Sequence, residues 1–121
     1  MSHGNKALAE KGEELAAQIL SDKGYEIIER NYRYGHGEID IIANDPGSKC
    51  TVFVEVKSRK NLEFGEPEYA ITKSKQRQIR KIAELYLFEK EIQEIDCRFD
   101  VIAILFEDFN NPVINHYENA F

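Results

Sequence analysis

The sequence predicts an α/β domain, a mixed β-sheet with helices packed on it, and three observations lead there. A helix-period run opens the chain, three strand-like runs follow on short connections, and a second helical run precedes two more strands. At 121 residues there is room for one hydrophobic core, so residues 1–121 are read as a single domain.

The first helix is expected from Asn5 to Asp22, with Leu8, Leu15 and Ile19 on one face and Gly24 as its stop signal after Lys23. Strand-like runs then span Tyr25 to Tyr34, Glu38 to Ala43 and Thr51 to Ser58. They are divided by Gly35 to Gly37 and by Asn44-Asp45-Pro46-Gly47-Ser48. Connections this short favour an antiparallel meander. Asn61 to Pro67 breaks the pattern with Gly65 and Pro67, and a second helix follows from about Thr72 to Glu89. Its apolar stripe is Ile79, Ile82, Ala83, Tyr86 and Leu87. Strands from Arg98 to Phe106 and from Val113 to Tyr117 flank the Asn110-Asn111-Pro112 turn. A right-handed crossover through the second helix should join the third and fourth strands.

Composition narrows the function. Apolar residues at 42% and charged residues at 31% suit a globular protein rather than a disordered one. No apolar run reaches the roughly 20 residues of a membrane span, and Met1 to Lys11 lacks the apolar stretch of a signal peptide, so a cytoplasmic protein is expected. Cys50 and Cys97 form no metal-binding pair and are read as thiols. The net charge of −6 argues against coating nucleic acid by bulk electrostatics. Any such contact must be local, and Lys73, Lys75, Arg77, Arg80 and Lys81 form the one dense basic cluster.

Chemistry concentrates in the second and third strands. Alternation places Glu38, Asp40 and Ile42 on one side and Ile39, Ile41 and Ala43 on the other. In the next strand Phe53, Glu55 and Lys57 oppose Val52, Val54 and Val56. Ionised groups inside such apolar strands are costly unless paired or bound to a metal, and two acids with one lysine leave excess negative charge. Asp40 and Glu55 supply the hard oxygen ligands that Mg²⁺ takes. Lys57 could orient or deprotonate a water and stabilise charge growing on a phosphate oxygen. Together they suit metal-assisted phosphodiester hydrolysis. For any single strand acid, a solvated charged face is the competing reading.

An acid, a turn and then acid-x-Lys is also the half-motif pattern of the PD-(D/E)XK nuclease superfamily. The longer runs Gly37-Glu38-Ile39-Asp40-Ile41-Ile42-Ala43 and Val52-Phe53-Val54-Glu55-Val56-Lys57-Ser58-Arg59 closely resemble the YraN family of predicted endonucleases. The resemblance extends to Gly12-Glu13, Ala16 and Leu20, to Asn31-Tyr32-Arg33, Phe64-Gly65 and Lys75, to Arg98-Phe99-Asp100, and to the closing Asn119-Ala120-Phe121. It implies a restriction-endonuclease-like fold with a central mixed sheet, similar to archaeal Holliday-junction resolvases. It further implies Mg²⁺ or substituting Mn²⁺ at Asp40 and Glu55, with branched or structured DNA as substrate. In the related nucleases an acid of the first helix joins the site, and Glu13 matches it. Helical geometry agrees, since Glu13 borders Ala9, Ala16 and Leu20 whereas Glu14 falls with Lys11 and Gln18. Ile39 stands where the superfamily motif has Pro, but its side chain points away from the acids.

Lys75 and Lys73 at the start of the second helix, and Arg59 with Lys60 past the third strand, are candidate phosphate contacts. Arg80 is read as an i,i+4 partner of Glu84, Glu38 as a solvated strand start with a second metal ligand as the alternative, and His3, His36 and His116 as surface residues. A homodimer would set two sites on a branched substrate. A binding or interaction module with little or no turnover is the rival to an endonuclease, and the acidic net charge keeps it in play.

Overall fold

The computed structural model describes residues 2–61 and 67–121, and side chains from residue 6 onward. Phe64, Gly65 and most of the break before Pro67 lie outside the described residues. The elements follow the expected order: α1 (Ser2–Asp22), β1 (Glu26–Tyr34), β2 (Gly37–Asp45), β3 (Cys50–Arg59), α2 (Lys73–Glu89), β4 (Cys97–Leu105) and β5 (Val113–Tyr117). Gly24 adopts the left-handed φ of 89° that lets the chain leave α1, and the Tyr25 N–H donates to the Leu20 carbonyl across the turn. Thr72 caps α2 by accepting from the Lys75 N–H.

The five strands lie in sequence order in one sheet. β1, β2 and β3 form the expected antiparallel meander. β3 and β4 run parallel, from Thr51 opposite Cys97 to Arg59 opposite Leu105, which is the pairing a helical crossover requires. β5 returns antiparallel to β4.

Each face of the sheet carries one helix. On one, Leu8, Ala16 and Leu20 of α1 meet Ile41, Ala43, Val52, Val54, Ile102 and Ile104. On the other, Ile79, Ile82, Ala83 and Tyr86 of α2 meet Tyr32, Ile39, Ile42 and Phe53. Each large side chain so covered contributes about 1.5–3 kcal/mol of hydrophobic stabilisation. The α2 stripe is as expected, with Leu87 partly buried at its margin. The α1 stripe is rotated from expectation: Leu15 packs only partly, and the buried line runs through Leu8, Gly12, Ala16 and Leu20. The cause lies at Gly12, where an added Cβ would fall 1.9 Å from the Ser58 Oγ. Small residues set α1 against β3 more closely than Leu15 and Ile19 would allow.

The alternation expected in β2 is also corrected. Ile39 and Ile42 share the α2 face, while Ile41 and Ala43 share the α1 face, so the strand changes phase between Asp40 and Ile41. This is where β2 and β3 part. Their ladder runs from Asp45 opposite Cys50 to Ile41 opposite Val54 and ends there, while β3 continues along β4.

Candidate active site where two strands part

The parting of β2 and β3 opens a cleft of about 950 Å³. Its walls are Glu13 on α1, Glu38 and Asp40 on β2, Glu55 to Arg59 on β3, Ala70 to Thr72 ahead of α2, and Lys75 on α2. Because Ile39 and Val56 mark the opposite faces, Glu38 and Asp40 approach from the α1 side and Glu55 and Lys57 from the α2 side. The two half-motifs meet through the gap instead of lining one sheet face.

Asp40 fills the place that the next ladder bond would occupy. Its Oδ2 accepts the Val56 N–H at 2.8 Å, and its carboxyl shares a hydrogen bond with that of Glu55. Burial, above all, then the hydrogen bond and charge of Glu55, raise the Asp40 pKa far above the usual carboxylate range, while the Val56 N–H opposes the rise. Glu55 also lies 3.5 Å from the Lys75 Nζ. The Lys57 ammonium donates to the Ala70 carbonyl, which holds it at the cleft.

Glu13 is half-buried as its place on α1 foretold, whereas Glu14 is exposed and pairs with Arg30 at 2.9 Å. Burial raises the Glu13 pKa, the Asn31 amide opposes this, and the charges of Asp40 and Glu38 add to it. Asn31 itself has a φ of 53° and donates to Glu13 at 2.8 Å and to Glu38 at 2.7 Å. Glu38 is therefore not simply a solvated strand start. Glu13, Glu38 and Asp40 bring carboxylate oxygens within 4.8 Å of one another. These three could hold a metal, and as oxygen donors they match the preference of Mg²⁺; Glu55, expected as a ligand beside Asp40, lies outside that trio and adjoins it through Asp40.

Of the expected nucleic-acid contacts, Lys75, Arg59 and Lys60 border the cleft, while Lys73 is exposed and absent from its walls. Arg80 does not pair with Glu84 as expected; its guanidinium lies 4.5 Å from the Phe99 ring centre and 5.8 Å from that of Phe121. The His116 side chain is 4% exposed, which corrects its reading as a surface residue. It lies 2.7 Å from the Asp100 carboxylate, which Arg98 also binds. Nothing local in the sequence marks that burial, because the partners sit on neighbouring strands. Asn31 carried a weak signal, since Asn tolerates left-handed backbone better than most residues.

A mixed five-stranded sheet between two helices, in the order α-β-β-β-α-β-β, is the restriction-endonuclease-like architecture. The chain belongs to UPF0102, described as "Uncharacterised protein family UPF0102", whose model matches residues 12–104. It is 50% identical to a UPF0102 protein of Geotalea daltonii over 97% of this chain and 91% of the relative. A UPF0102 protein of Chlorobium limicola is 48% identical over 100% of this chain and 96% of its own. For one from Pelobacter propionicus the identity is 46%, over 97% and 84%.

Proposed function

We propose that this protein is a metal-dependent endonuclease that hydrolyses phosphodiester bonds in DNA, with branched or junction DNA as its preferred form. The observation that carries the reading is the meeting of Asp40, Glu55 and Lys57 at one opening between strands, with Glu13 beside them. A structural salt-bridge network would balance its charges. Here half-buried acids crowd together, and burial raises the pKa of Asp40 and Glu13.

The donor set fits a divalent cation: all-oxygen, negatively charged and open on one side. Mg²⁺, or Mn²⁺ in its place, held by Asp40 and Glu55 would supply Lewis-acid polarisation of a phosphoryl oxygen. Glu13, oriented by Asn31, holds that acidic wall in place. The Lys57 ammonium meets charge growing on the phosphate, and Lys75, Arg59 and Lys73 contact the strand on either side. A homodimer presents two such sites to a branched substrate. Cys50 and Cys97 are free thiols, which fits a cytoplasmic setting.

The rival is a nucleic-acid-binding or interaction module that does not turn over, favoured by the net charge of −6. The test incubates the purified protein and its Asp40→Ala and Lys57→Ala variants with four-way, flap, single-stranded and duplex DNA in Mg²⁺ or Mn²⁺. Cleavage by the unaltered protein alone is expected. Equal cleavage by all three removes the catalytic assignment, and salt-sensitive binding without cleavage supports the module.

A further inference from the structure

The segment from Pro67 to Thr72 forms a strap between β3 and α2. It begins with a turn in which the Ala70 N–H donates to the Pro67 carbonyl at 3.0 Å. That turn projects Glu68 and Tyr69 onto β5. The Glu68 Oε1 accepts the Asn115 amide at 2.6 Å and also the Tyr117 hydroxyl, while the Tyr69 and Tyr117 ring centres lie 4.8 Å apart. At its other end the strap is tied to α2, where the Gln76 amide donates to the Ile71 carbonyl at 2.9 Å.

The register of the sheet gives these contacts a bearing on the cleft. Glu55 pairs with Val101 and Val101 with Tyr117; Lys57 pairs with Ala103 and Ala103 with Asn115. The two residues that hold Glu68 therefore stand in the same cross-strand rows as the acid and the lysine of the half-motif. All share a face, because in the row between them Val56 and Ile102 pack toward α1 and His116 lies against Tyr25 on that same side. Ala103 is small enough to leave space in the middle of its row, and Glu68 and Lys57 border one small pocket above it. The strap that Glu68 pins then offers the Ala70 carbonyl to the Lys57 ammonium.

We propose that Glu68 is a positioning residue for the proposed cleavage, pinning the strap to Asn115 and Tyr117 so that the Ala70 carbonyl fixes the Lys57 ammonium at the cleft. The inference rests on the endonuclease reading for its kinetic consequence, but its structural content is independent of it. Glu68 touches no reacting atom. It acts through the strap, as supporting groups around active sites do when their loss costs about 10–100-fold.

The test compares the full chain with Glu68→Gln, Glu68→Ala and Tyr117→Phe variants, each checked for an unchanged circular dichroism spectrum. On four-way junction DNA with Mn²⁺, kcat should fall about 10–100-fold in Glu68→Ala while KM moves less than about threefold. Glu68→Gln, which keeps an acceptor, should recover most of the loss, and Tyr117→Phe should lose less than Glu68→Ala. In parallel, the side-chain NMR resonances of Lys57 should move toward those of a solvated lysine in Glu68→Ala. Unchanged kcat, or a change confined to KM, overturns the proposal. Should the unaltered protein cleave nothing, the endonuclease reading fails by itself, and Lys57 resonances unmoved by Glu68→Ala then overturn the positioning role. If Glu68→Ala does not fold, Tyr117→Phe carries both readouts: a smaller fall in kcat with a shift of the Lys57 resonances is expected, and no change in either overturns the proposal.

Discussion

The carboxylate of Asp40 takes the N–H of Val56 at the point where the β2–β3 ladder stops. One side chain thus both terminates strand pairing and brings the acids of the two strands into contact. An amide at position 40 would still accept the Val56 N–H but would carry no charge. Asp40→Asn is therefore expected to fold, with a thermal midpoint no lower than that of the unaltered protein. Its midpoint should also stop responding to Mg²⁺ or Mn²⁺, which are expected to stabilise the unaltered protein by mass action. Thermal melts with and without metal check both halves. An undiminished metal response in Asp40→Asn would remove this residue from the ligand set.

The contact of Gly12 with Ser58 gives a second prediction, about packing alone. A methyl group at position 12 would meet the Ser58 Oγ at 1.9 Å and its Cβ at 3.2 Å, so Gly12→Ala should cost about 1–3 kcal/mol in urea unfolding. The Ser58 hydroxyl is buried with no hydrogen-bond partner among the described residues. Ser58→Ala alone should therefore be neutral or stabilising, and in the double variant it should recover part of the Gly12→Ala loss. Strict additivity of the two changes would contradict the contact.

Acid stability should depend on the opposite end of the sheet. Burial works against an ionised Asp45, but hydrogen bonds from Arg98, Ser48 and the Gly47 N–H outweigh it and lower its pKa from 3.8 to about 2. Asp100 is likewise lowered: burial opposes the shift, and His116, Arg98 and the Asn119 N–H prevail. A carboxylate with a depressed folded-state pKa contributes stability above its unfolded value and loses it as pH falls through the folded one. For Asp45 the window runs from about pH 4 down to about 2. Urea midpoints measured across it should fall less steeply in Asp45→Asn than in the unaltered protein. Arg98→Met, which leaves the buried Asp100 without its cation, should cost about 3–5 kcal/mol at neutral pH.

What could be read from the sequence, and what could not, divides along physical lines. Local periodicity marked α2 and its buried stripe, and the Asn110-Asn111-Pro112 turn marked the start of β5 at Val113. The acids and lysine of β2 and β3 were visible because ionised residues are rare inside apolar strands. Strict alternation, however, presumes a continuous ladder, so it could not reveal that Asp40 ends one and that the two half-motifs arrive from opposite faces. The burial of His116 against Asp100 is set by β4–β5 register, and the reach of Glu68 to Asn115 and Tyr117 by a strap that crosses three strands. Long-range pairing of that kind leaves no periodic trace.

Lys75 supports a final prediction in which two affinities move in opposite directions. Its ammonium stands 3.5 Å from the Glu55 carboxylate on the first turn of α2, so it serves as a resident counter-ion for a residue proposed to bind metal. Lys75→Gln should strengthen Mn²⁺ binding, because one competing cation is gone, and should weaken DNA binding by the loss of a phosphate contact. The slope of log affinity against log salt should become shallower by about 0.9 on duplex DNA. Arg80→Gln is the control, since Arg80 is engaged by Phe99 and Phe121: it should lower the thermal midpoint and leave the salt slope unchanged. Calorimetric titration of Mn²⁺ and filter binding across a salt series separate the cases. If Lys75→Gln leaves the salt slope as steep as before, the strand does not run over the N-terminal end of α2.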